Sequence, residues 1–151
     1  MKSAEGVAVL PSDLEISCDR DRLDVALIHE FLRTSYWAAG RSRDIVERSI
    51  AHSLCFGAYS AGKQIAFARV ITDRAVFAYL ADVFVVPDFR GRGVAKALVA
   101  AILAHPELQG LRTFLLGTRD AHGLYARFGF GPVPDPKRLM GRYLSTETAG
   151  A

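Results

Sequence analysis

Arg90-Gly91-Arg92-Gly93-Val94-Ala95-Lys96 is the stretch whose residue types converge most closely on a chemical task. It follows the apolar run Val83-Phe84-Val85-Val86 and Pro87, and it opens directly into an apolar helical series from Val94 to Ala104. Amides at such a strand–turn–helix junction point outward without partners, and the helix dipole adds partial positive charge there. Gly91 and Gly93 let a ligand approach the main chain, while Arg90 and Arg92 add full charges. The chemistry is the binding of a phosphate or pyrophosphate. The spacing is not that of a dinucleotide fingerprint, and no Gly-Lys-Ser/Thr follows to make a mononucleotide P-loop. A solvated Arg-Gly turn is the plain alternative.

A second group lies 35 residues beyond Arg90. Ala121, Leu124, Tyr125 and Phe128 recur at helical spacing, Gly129 stands where a left-handed C-cap belongs, and Phe130 restarts an extended segment. Asp82 is the sole charged residue between Arg74 and Asp88, inside a strand-like run. A carboxylate there is costly to bury alone. It is either a general base for an ammonium substrate or the partner of an arginine such as Arg69, and its direction depends on where the strand bulges. His122, one turn before Tyr125, is a second base candidate or a surface histidine in a first helical turn. Tyr36 and Trp37 are adjacent aromatics in a connector, suited either to wall a substrate or to pack over the core. Tyr79 and Phe56 could line the same cleft or belong to the core.

The elements that position these groups follow from periodicity. Leu14 to Cys18 reads as a strand, and Leu23, Leu27, Ile28 and Phe31 give a helical stripe to about residue 32. A connector over 33–41 leads to an N-cap at Ser42 and a second helix ending near Ser53. Residues 54–60, 64–72 and 76–86 read as an antiparallel meander joined by turns at 61–63 and 73–75. The helix 94–104 is apolar nearly all round and stops at His105-Pro106. Then come a strand over 112–117, parallel to its predecessor, a helix over 121–128, a loop with Pro132, Pro134 and Pro136, and a last strand near 139–144.

Composition sets the bounds. A chain of 151 residues, half of them hydrophobic and 23% charged, reads as one globular domain over 1–151 with a motif core at 82–130 and flexible ends at 1–13 and 145–151. Net charge +3 favours an anionic ligand without demanding nucleic acid. Cys18 and Cys55 form no metal-ligand spacing, so no metal is expected. No uncharged run approaches the roughly 20 residues that span a bilayer. With no signal-peptide core at the N-terminus, the expected location is the cytoplasm.

The basic residue, two spacers, glycine, spacer and small residue at Arg90, Gly93 and Ala95 resemble the acetyl-CoA pyrophosphate loop of the GNAT superfamily of N-acetyltransferases. Tyr125, three residues and Gly129-Phe130 are similar to the end of that family's fourth helix, and the element order matches its fold from about 14 to 144. The resemblance implies a mixed α/β fold, with a mostly antiparallel sheet of six to seven strands, a parallel splayed pair and four helices. It implies acetyl-CoA as cofactor, held by Arg90, Gly91, Arg92, Gly93, Val94, Ala95 and Lys96. Main-chain groups of Phe84, Val85 and Val86 would then pair with the pantetheine amides. Tyr125 would lie near the CoA sulfur as general acid, with Asp82 as base and Tyr36, Trp37, Tyr79 and His122 towards the acceptor. Thr118 departs from the asparagine that many members carry seven residues before the tyrosine, which puts that CoA contact in question. The expected activity is acetyl transfer to a small-molecule or peptide amine, by direct attack because neither cysteine falls in a nucleophile motif. The rival readings are an acyl-CoA sensor without turnover and a basic nucleic-acid-binding module. The latter lacks an extended basic stripe or an RNA-binding aromatic signature. The assembly is open, a homodimer included.

Overall fold

The computed structural model describes residues 9–144. Five strands form one sheet in the order β1-β2-β3-β4-β5: β1 (Glu15–Ser17), β2 (Leu54–Ser60), β3 (Lys63–Thr72), β4 (Phe77–Val85) and β5 (Thr113–Leu116). All neighbours are antiparallel except β4 and β5. The central β3 is buried from Gln64 to Val70, which fits its near-continuous apolar sequence. Helices α1 (Val25–Arg33) and α2 (Arg43–Ala51) cover one face. They begin at Asp24 and Ser42, whose side chains accept the N–H groups of Leu27 and Ile45. Ile28, Leu32, Val46 and Ile50 pack there against Phe67 and Phe84.

Helix α3 (Val94–Ala104) lies on the other face, its Val94, Leu98, Val99 and Ile102 buried against Phe56, Ala66, Ala68 and Leu80. Helix α4 (His122–Ala126) is a short turn at the edge of this layer. It is shorter than the expected 121–128 because Tyr125 O accepts from both Phe128 and Phe130, and Gly129 turns left-handed at φ 90°. The sheet has five strands, fewer than expected. Residues 139–144 make no strand, and Leu139, Met140, Tyr143 and Leu144 are exposed. Two prolines and the turn at Pro136–Arg138 carry this tail onward without joining it to the ladder. No helix of the described residues is long and apolar enough to cross a membrane.

Candidate active site

The site begins where the sheet comes apart. β4 and β5 pair only from Phe77–Leu80 against Thr113–Leu116. Just beyond, β4 carries one residue more than β3, between the pairs Arg69↔Ala81 and Phe67↔Phe84. The extra residue sits at Asp82, whose φ of 56° is left-handed. The bulge exchanges the faces of the strand. Ala78 and Leu80 point into the α3 layer, but beyond it Val83 and Val85 take that side and Phe84 joins the α1–α2 layer.

The same shift decides which amides meet the gap. Val86 donates its N–H to Ile65 O at 2.9 Å and accepts from Phe89 N–H at 3.0 Å. Alternation then turns the main-chain groups of Phe84 towards β3, and those of Val83 and Val85 towards the gap. Of the three positions expected there, Val85 alone faces the opening. Val83 supplies the second pair of groups, which the letters did not reveal because they do not show the bulge.

At one end of the gap lies the glycine turn. Gly91 and Gly93 have φ of 72° and 82°, a conformation that disfavours any other residue. The first α3 amide with an internal partner is that of Ala97, which donates to Gly93 O, so those of Val94, Ala95 and Lys96 stay open. They line a cavity of about 580 Å³ with Arg90 and, from just past the end of α4, Arg127, a further cation unforeseen in the sequence. Arg92 turns away: its Nε donates to Val9 O at 2.9 Å and its guanidinium lies 5.1 Å from the Phe89 ring centre. Arg90 Nε donates to Val85 O at 3.0 Å, across the mouth of the gap.

At the other end is a cleft of about 620 Å³ bounded by Tyr36, Trp37, Tyr79, Asp82, Thr118 and Tyr125. A longer cavity of about 1160 Å³ runs past Phe31, Val83 and Val85 to Arg90, sharing Tyr36, Trp37 and Tyr125 with the cleft. Tyr125 is buried, and that burial, with Tyr36 nearby, pushes its phenol up to about 12. Tyr36 packs edge-on against Trp37 at 5.1 Å. Its hydroxyl accepts from Arg119 N–H at 3.3 Å while the Arg119 guanidinium covers its ring at 3.8 Å. Thr118 Oγ1 accepts from Ala121 N–H at 3.0 Å, so the threonine caps its own loop.

Asp82 is the partner of Arg69 and of more besides. Oδ2 accepts from Arg69 Nε at 2.9 Å and Arg41 Nη1 at 2.7 Å, and Oδ1 accepts from Trp37 Nε1 at 3.0 Å. Burial would raise its pKa, but the two guanidinium groups outweigh that and hold the carboxyl below its ordinary value. A carboxylate so engaged is a poor proton acceptor. Arg41 was legible only as one of the two arginines in the connector; its pairing with the lone carboxylate of β4 needed the fold. His122 is exposed and lines none of these three cavities. Phe56 belongs to the core, edge-on to His105 at 5.6 Å. Burial pushes the Cys55 thiol up to about 12, and the described residues contain no cluster fit for a metal.

Residues 24–130 match the sequence model of the acetyltransferase (GNAT) family. The chain belongs to that family. A GNAT-family crystal structure from Xanthomonas campestris pv. campestris superposes with a TM-score of 0.86 at 54% identity, covering 89% of this chain and 96% of that one. Serotonin N-acetyltransferase 2 of rice (Oryza sativa subsp. japonica), a chloroplastic protein, is 30% identical over 132 residues, 83% of this chain and 65% of its own. A Gibberella zeae protein named as an acetyltransferase is 28% identical over 134 residues, 73% of this chain and 75% of its own. The mixed sheet with a parallel β4–β5 pair and four helices is the GNAT fold.

Proposed function

We propose that this GNAT protein transfers an acetyl group from acetyl-CoA to a primary amine within a ternary complex. The observation that carries this reading is the pair of adjoining cavities, sharing Val85, Arg90, Ala95 and Leu124, that leads from the open amides of Val94, Ala95 and Lys96 to Tyr125. The residues present fit coenzyme A. The glycine turn offers unpartnered donors, a Cβ added at Gly91 would meet nothing within 4 Å, and Arg90, Lys96 and Arg127 supply charge for a pyrophosphate. Val83 and Val85 offer main-chain groups to an extended amide-bearing arm, which would lie in the gap like a further strand. Arg90 would release the Val85 carbonyl as it turned to the phosphates.

The amine nitrogen attacks the thioester carbon, the C–S bond breaks with its electron pair on sulfur, and the amine proton leaves. A main-chain N–H turned into the gap stabilises the oxyanion of the intermediate. At a pKa of about 12 Tyr125 keeps its proton throughout. Full transfer to a thiolate, whose conjugate acid has a pKa of about 8.5, is uphill, so Tyr125 acts as a hydrogen-bond donor to the departing sulfur. Asp82 positions Trp37 and Arg41 and leaves the amine's proton to water in the cleft. Tyr36, Trp37 and Tyr79 give the acceptor an aromatic wall, which suits an aromatic amine, and the rice relative bears the name of one.

Acetyl-CoA turnover across a panel of amines, followed by thiol release and product mass, tests the reading. CoA and desulfo-CoA should both raise the melting temperature by mass action, and adenosine much less. Failure of every CoA species to do so at millimolar concentration would overturn it. Binding of CoA without release of thiol for any amine would leave a sensor.

A further inference from the structure

Resting on the acetyl-transfer reading, we infer that the amine acceptor also carries a carboxylate, which docks on Arg41 in the cleft beyond Tyr125. The charges of the cleft do not balance. Asp82 brings one negative charge to two guanidinium groups, those of Arg69 and Arg41. Arg69 is 10% exposed and is further tied to Ser53 Oγ at 3.2 Å, so it is closed to a ligand. Arg41 differs. Its side chain keeps 23% of its surface, it lines the cleft, and only its Nη1 has a side-chain partner among the described residues.

Arg41 therefore brings guanidinium donors without a side-chain partner to the lining of a cavity with an excess positive charge behind them. The pair of 2.7 Å to Asp82 fixes their orientation in advance, which lowers the entropy of binding a planar anion. The opposite charge is missing from the cleft. Asp82 is fully engaged, and the cleft's other carboxylate, Asp120, is 70% exposed and lies 3.5 Å from Arg119. The aromatic face of Tyr36 that would attract an ammonium is already covered by Arg119 at 3.8 Å. The cleft is thus built to hold an acceptor by an anionic group and an aromatic or apolar body, and to leave its amine uncharged and free to attack. An amino-acid-like acceptor meets all three demands.

Serotonin and 5-hydroxytryptophan differ only in the carboxylate, and their acetylation can be compared directly through kcat/KM. A charge-assisted pair on Arg41 should favour 5-hydroxytryptophan by about tenfold to hundredfold. In Arg41→Gln that preference should collapse towards unity, and in Arg41→Lys it should persist in part. Retained stabilisation by CoA reports that each variant is folded. A second measurement needs neither turnover nor a variant. Indole-3-propionate should bind the wild-type protein at least about tenfold more tightly than 3-ethylindole by calorimetry. Serotonin turned over as well as 5-hydroxytryptophan, with the two amine-free ligands bound alike, would overturn the inference and leave the transferase standing. Tight binding of indole-3-propionate with no turnover of any amine would uphold the anion site and remove the transferase.

Discussion

Replacing Asp82 by asparagine removes one charge while keeping the shape of the side chain and, since asparagine tolerates a left-handed backbone, the bulge at φ 56°. Its single carbonyl oxygen can accept from Trp37 or from one arginine, but its NH₂ group then faces guanidinium donors. Arg69 and Arg41 are left as a buried pair of like charges. Breaking a buried ion pair from one side costs about 3–5 kcal/mol. Arg41 can swing part-way to solvent, since 23% of its side chain is exposed, which favours about 3 kcal/mol. At about 2–4 °C per kcal/mol for a domain of this size, the melting temperature should fall by roughly 6–12 °C. Asp82 has a lowered folded pKa, so its stabilisation is complete above the ordinary value of 3.8 and is lost as pH falls through the folded pKa. The gap between wild type and variant should therefore be constant from pH 5 to 8 and close only below about pH 4. Urea unfolding at several pH values measures it. A loss under about 1 kcal/mol, with a flattened acidic limb of kcat/KM, would refute the argument and make Asp82 a base.

Tyr125→Phe should lower kcat about 10²–10³-fold, the loss of one donor to developing charge, with CoA affinity nearly unchanged, and a similar loss of affinity would displace the hydroxyl from the sulfur. Arg90→Ala should weaken CoA binding by roughly 1–3 kcal/mol, read by calorimetry, with kcat at saturation largely kept. Gly93→Ala meets only Leu10 side-chain carbons at 3.6 and 3.7 Å, so its penalty is the left-handed backbone. It should cost about 1–2 kcal/mol in unfolding free energy and weaken CoA binding; an unaltered affinity would show that the turn does not approach the cofactor.

Where local chemistry decides the outcome, the sequence was readable. The glycine turn, the helix 94–104, the caps at Ser42 and Gly129 and the 54–60 strand stand where periodicity and turn residues put them, because each is fixed by residues within a few positions. What escaped depends on distant partners. Whether Asp82 is a base or an ion-pair partner turns on Arg41 and Trp37, more than 40 positions earlier, and on a bulge that no residue type announces. The helix over 121–128 was overrun because apolar spacing continues to Phe128, while the backbone turns out of the helix after Ala126. The tail at 139–144 has strand-like letters, but letters do not show whether the chain comes alongside a free edge, and here it leaves the outer edge of β5 unpaired among the described residues.

The bulge in β4 makes the site unequally tolerant of genetic change. A strand has two phases, and one inserted residue is all that separates them. Point substitutions at 81 and 83 alter size or charge by degrees. Deleting one residue together with the bulge would leave the pairs on either side as they are, but flattening the bulge at unchanged chain length, by a residue at 82 that cannot hold φ 56°, would rephase everything downstream to Val86. The Val85 amide would turn to β3, Phe84 would rotate from the α1–α2 layer into the α3 layer, and the lining of the gap would change hands while the composition barely moved. The backbone at this one residue behaves as a switch, and libraries that vary the acceptor cleft should hold position 82 to residues that tolerate a left-handed φ.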